Sequence, residues 1–118
     1  MKWYLAKLVY RIICGEGNHK PQFDEQLRLI YGEDDLHAFQ KARTTGHHEE
    51  DTFLNNAQKL VHWKFIDVSE LYPLNELTDG AEIYSRICEE DDADHYIKIT
   101  HKRATHLLES STYQSVEF

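Results

Sequence analysis

A chain of 118 residues, 41% of them hydrophobic, is the size of one domain and can bury a core without disulfide or metal staples. Its 13 Lys and Arg stand against 21 Asp and Glu, a formal charge of −8, which repels a phosphate backbone and an anionic bilayer surface. No nucleic acid and no membrane are therefore expected as partners; the balance suits solubility, a cationic small molecule or a basic protein.

The N-terminal MKWYLAKLVYRIIC starts like a secretory signal, but Lys7 and Arg11 interrupt its apolar run and no small-residue cleavage site follows. The expectation is a mature chain that begins here, in the cytoplasm. Within WYLAKLVYRIIC the even positions Tyr4, Ala6, Leu8, Tyr10, Ile12 and Cys14 are all apolar or aromatic, the period of a strand with one fully buried face. The odd positions Trp3, Leu5, Lys7, Val9, Arg11 and Ile13 mix apolar with basic, more apolar than a simple solvent face needs. GEGNHKP then reads as a loop and QFDEQLRLIY as a second strand, together a long hairpin.

EDDLHAFQKARTTG predicts a short amphipathic helix, with Leu36, Phe39 and Ala42 at three-residue spacing, acids at its start, Lys41 and Arg43 near its end and Gly46 placed to stop it. An element of undetermined kind is expected around Phe53 to Ala57. LVHWKFIDVSEL carries apolar residues on both faces and predicts a central strand. YPLNELTDG breaks the pattern, and AEIYSRIC predicts another strand behind the turn dipeptide Asp79-Gly80. A last helix is predicted from about Asp91 to Glu109 on the stripe Ala93, Tyr96, Ile97, Thr100, Ala104, Leu107 and Leu108. Residues 110–118 form a polar tail, open between disorder and an added strand. The expected fold is a single α+β domain over 1–109, in the order ββαββα, with a mostly antiparallel sheet of four to five strands and two helices packed on one face.

WYLAKLVYRIIC, WKFIDVSEL and DGAEIYSRI resemble a numbered bacterial family, domain of unknown function 4288, in which a Trp-x-Phe strand precedes an Asp-Gly turn and a Glu-x-Tyr-Ser segment. The likeness reaches to about Leu108, and the matching positions are Trp63, Phe65, Val68, Asp79, Gly80, Glu82, Tyr84 and Ser85. It brings no activity; it implies a small, stand-alone bacterial cytoplasmic protein.

Residues able to carry chemistry are few. GHHEED, Gly46 to Asp51, offers His47, His48 and Asp51 as metal candidates, but adjacent histidines point about 100° apart on a helix and the remaining pairs give too few ligands for an ion. An exposed connection after the helix is the expected role. His95, His101 and His106 fall on different sides of the last helix or about 16 Å apart along it. No nucleophile elbow, Walker sequence or dinucleotide fingerprint is present, so no catalytic set and no cofactor are expected. Cys14 and Cys88 read as two reduced, buried thiols, with a disulfide between neighbouring strands left open.

Three functions stay in view. The first is a non-enzymatic cytosolic binding domain that forms a homodimer through an aromatic sheet face of Trp3, Val9, Ile13, Trp63 and Tyr84. The second is small-molecule or metal binding, with or without catalysis, in a pocket between sheet and helices lined by Tyr4, Tyr10, Trp63 and Tyr84. The third is an acidic, antidote-like partner of a basic protein.

Overall fold

In the computed structural model, which describes residues 1–116, the elements follow the order β1 (Lys2–Cys14), β2 (Gln22–Gly32), α1 (Asp35–His48), β3 (Asp51–Leu54), β4 (Leu60–Pro73) and α2 (Ala93–Val116). This is an α+β fold with the predicted ββαββα order and a four-stranded antiparallel sheet arranged β2-β1-β4-β3. The chain divides into two compact units, Met1–Tyr84 and Ser85–Phe118. Among the described residues no helix is long and apolar enough to cross a membrane.

The alternation read in the first strand sets the layers of the first unit. Tyr4, Ala6, Leu8 and Tyr10 face α1 and form its core with Ile30, Ala38, Ala42 and Phe65. Helix α1 begins at Asp34, whose carboxylate accepts from the His37 backbone N–H at 2.8 Å, while His37 Nδ1 accepts from the Glu33 N–H at 2.9 Å. The His37 N–H, one of the donors that a helix start leaves orphaned, is thereby satisfied, and the Glu33 N–H just before the cap is held as well.

The predicted stripe of α1 holds at Ala42 and is corrected at Leu36 and Phe39. Leu36 is 64% exposed and Phe39 stacks under the Arg43 guanidinium; the sheet is met by Ala38, Ala42 and Gly46, one small residue per turn. Small residues let the helix approach closely, and the rings of Tyr4, Tyr10 and Phe65 fill the layer from the sheet side. Gly46 therefore does not end the helix. A Cβ there would lie 2.2 Å from Phe65 Cε1, so the position is glycine for want of space, and α1 continues to His48.

The predicted strand AEIYSRIC is also corrected. Residues 74–92 contain no strand, and Ile87 is 94% exposed. The Asp79-Gly80 turn does form, with Gly80 at φ +82° and Ala81 N–H donating to Thr78 O. The fourth strand is instead β3, at the element of undetermined kind expected around Phe53 to Ala57. It pairs with Leu60–Trp63 and follows α1 so closely that the helix end delivers it to that edge.

In the second unit, Asp92 accepts from the His95 N–H at 3.0 Å and caps α2, which runs past the predicted end at Glu109 to Val116, so the tail adds helix and no strand there. Residues 117 and 118 of that tail lie outside the described residues.

Candidate functional site: the open face of the sheet

Pairing of β1 with β2 places Trp3, Leu5, Lys7, Val9 and Arg11 opposite Tyr31, Leu29, Leu27, Glu25 and Phe23, all on the face away from α1. Trp3 and Tyr31 bring their rings to 4.7 Å, and the Arg11 guanidinium lies 6.0 Å from the Phe23 ring centroid. Phe23 (56%), Leu27 (48%), Leu29 (49%), Tyr31 (40%) and Trp3 (39%) are all exposed, a run of large apolar side chains broken on β2 only by Glu25.

The middle of the face is polar. Lys7 Nζ sits 3.0 Å from Glu70 and 3.6 Å from Glu25, and 5.7 Å from the Tyr84 ring centroid. Its hydrogen bond with Glu70 raises the lysine pKa, against the opposing effect of burial. Tyr84 comes from the segment after β4 and meets the Tyr72 ring edge-on at 5.9 Å. Leu5, between these groups, is buried at 4%. The β4 side of the face is thus covered in part by the chain itself, with Tyr72 still 38% exposed, whereas the β2 side is open.

Four of the five residues expected on one aromatic face are together: Trp3, Val9 and Ile13 by alternation on β1, and Tyr84 by its contacts with Lys7 and Tyr72. Trp63 is not. It pairs with Ile12 on the α1 side, where its indole N–H donates to Asp24 at 3.1 Å and its ring stacks on Phe53 at 6.1 Å. What the sequence reading missed is the contribution of β2. Phe23, Leu27, Leu29 and Tyr31 share one face of β2 by alternation, and only the register joins them to the odd face of β1.

The expected tyrosine pocket is not assembled. Tyr4 and Tyr10 are core residues, and the Tyr10 hydroxyl donates to Gly46 O at 3.0 Å in a buried bond; burial first raises its pKa. Tyr84 lies on the opposite face from both.

GHHEED resolves into a helix-to-strand joint. His47 packs edge-on against Phe65 at 4.7 Å, Glu49 accepts from Arg28 of β2, and Glu50 accepts from the Phe65 backbone N–H at 2.8 Å. His48 is exposed, and Asp51 opens β3 with its carboxylate on the Thr52 N–H. The expected exposed connection is thus partly replaced by a tie between α1, β2 and β4. Among the described residues no three His, Cys, Asp or Glu gather where they could hold an ion.

Of the remaining family positions, Phe65 is core, Val68 packs against it, Asp79 and Gly80 make the turn, and Glu82 and Ser85 are exposed. Both cysteines are free thiols, but Cys88 is exposed, not buried, and Cys14 is half-buried with Asn55 Nδ2 at 3.5 Å from its sulfur. Beside Cys14, the β1–β2 loop forms an open cleft of about 810 Å³ lined also by His19, Lys20 and Lys59.

The geometry defines a small α+β domain with its sheet backed by a helix on one face and half uncovered on the other. Residues 3–85 match the family model described as Domain of unknown function (DUF4288), and the chain belongs to that family. No curated protein and no solved structure matches it.

Proposed function

We propose that this protein is a non-catalytic interaction domain of the bacterial cytoplasm that forms a homodimer through the open, β2-side half of its sheet. The observation that supports this most is the contiguous exposure of Trp3, Phe23, Leu27, Leu29 and Tyr31 on one face. Five large apolar side chains left in water are a cost that association removes, at roughly 25 cal/mol for each Å² buried. A second copy is the partner of choice because the face carries both signs of charge, Arg11 with Glu25, and a two-fold axis sets like surfaces against each other.

Sedimentation velocity at micromolar concentration tests this. The wild-type chain is expected to run as a dimer and Leu29→Lys, exposed enough to leave the fold intact, as a monomer. A monomeric wild type overturns the proposal.

A second function, small-molecule binding, draws on the cleft beside Cys14, where Lys20 and Lys59, against the single acid Glu16, would favour an anionic ligand. Native mass spectrometry of tag-free protein reports it as added mass that Lys59→Ala removes.

A further inference from the structure

We propose that α2 pairs antiparallel with α2 of the second copy. The pairing is a further contact of the homodimer proposed above and rests on that reading.

The second unit has no core of its own. Of the described side chains from 85 to 110 only Ile99, on the far side of the helix from the apolar stripe, is half-buried, and the rest are exposed. Tyr96 (48%), Ile97 (52%), Leu107 (67%) and Leu108 (67%) stand in water with Thr100 and Ala104 between them, on a stripe about 22 Å long from Ala93 to Leu108. A helix draws most of its stability from packing such a face, so this one lacks its main support in a single copy.

The order of residues along the stripe says what fits it. The stripe reads alike from both ends: two large side chains, Tyr96 and Ile97, then the small Thr100 and Ala104, then two large ones again, Leu107 and Leu108. With two copies antiparallel about a two-fold axis at Lys102, Tyr96 opposes Leu108, Ile97 opposes Leu107 and Thr100 opposes Ala104, each twice. Large meets large at the ends, and small meets small at the crossing, where the backbones approach most closely. Sliding one copy by one turn sets Leu107 against His101 in one direction and Ile97 against Arg103 in the other. A parallel pair would stack Asp91, Asp92 and Asp94 on their own counterparts and align the two macrodipoles, whereas the antiparallel pair separates the acids and opposes the dipoles. Lys102, at the axis, points about 180° away from Ala93 and the seam, but Arg103 flanks the seam at about 80°, so its two copies repel across the axis. Added salt should therefore tighten the pair.

Two helices in contact over this length make a small interface beside the roughly 1,200–2,000 Å² of a stable one. The pair therefore adds to the sheet contact and does not replace it. Residues 85–92, without helix or strand, span at most about 28 Å and keep the two helices of a dimer at high effective concentration.

The test uses the full chain with Cys14 and Cys88 replaced by serine and one new cysteine, Ile97→Cys in one preparation and Leu107→Cys in another, with oxidised glutathione as oxidant. Both positions are exposed and outside the core of the first unit, so its fold is left intact. Neither variant alone is expected to form a disulfide-linked dimer, because like positions lie about 15 Å apart along the pair; a mixture combined before oxidation is. Self-linking of Ile97→Cys without linking to Leu107→Cys overturns the antiparallel order. A dimer by sedimentation whose mixture does not cross-link overturns the pairing of α2 and leaves the sheet contact standing. Leu29→Lys protein that stays dimeric while the mixture cross-links places the association in α2 and overturns the sheet reading instead. A monomer with no cross-link overturns both.

Discussion

Two tyrosines in one core have opposite hydrogen-bonding fates. Tyr10 donates its hydroxyl proton to Gly46 O, while the equally buried Tyr4 hydroxyl has no partner at hydrogen-bonding distance. Burial, then the carboxylate of Asp35, raise the Tyr4 pKa; that carboxylate is close enough to act on the phenol without accepting a normal hydrogen bond from it. A buried hydroxyl without a partner opposes folding, whereas a satisfied one supports it. Tyr10→Phe is therefore expected to cost about 1 kcal/mol, because it also strands the Gly46 carbonyl. Tyr4→Phe should leave stability unchanged or raise it. Urea titration of the two variants beside wild type checks the contrast, and a larger loss for Tyr4→Phe than for Tyr10→Phe would refute this account of the core.

At the scale of elements, the legibility of each depended on whether its side chains face one environment. β1 could be read because its even positions form a single buried face, and the β1–β2 hairpin because glycines separate two long alternating runs. α1 was placed correctly and its face was not: three-residue spacing favoured the large residues Leu36 and Phe39, while the structure buries Ala38, Ala42 and Gly46 against aromatic rings that only tertiary packing supplies. β3 gave a signal without a type because all four of its residues are exposed, and AEIYSRIC gave a false one because alternation alone does not provide a neighbour to pair with. The open face was half legible, since β1 showed it and the register that adds β2 is a long-range fact. The tie between α1 and β4 makes a pH prediction. Asp67 lies below the usual carboxylate value of 3.8, chiefly through its hydrogen bond from Arg43 and next through the Val68 N–H. A carboxyl with a depressed folded pKa contributes stability that is present above the unfolded value and is lost as pH falls through the folded one. Both side chains are about half exposed, at 50% and 46%, so solvent screening makes the contribution small. Asp67→Asn should lower stability slightly at neutral pH and flatten the decline below about pH 4; parallel acid limbs for variant and wild type would exclude the clamp as a contributor.

For the whole molecule, the boundary of the family match at residue 85 falls beside the structural division after Tyr84. Every member of the core cluster, from Tyr4 to Phe65, belongs to the first unit, as do all four strands and the ties from Arg28 to Glu49 and from Arg43 to Asp67. What a domain needs in order to fold alone is a core of its own, and residues 1–85 have one. α2 begins with its own cap at Asp92 and exposes Ile97, Leu107 and Leu108. A fragment ending at Ser85 is thus expected to unfold cooperatively. For a domain of this size a difference of 1 kcal/mol moves Tm by about 4–8 °C, and the fragment should stay within that range of the full chain. Calorimetry on the two lengths decides it. A fragment that lacks a cooperative transition would mean that the first unit does not fold without the residues after 85.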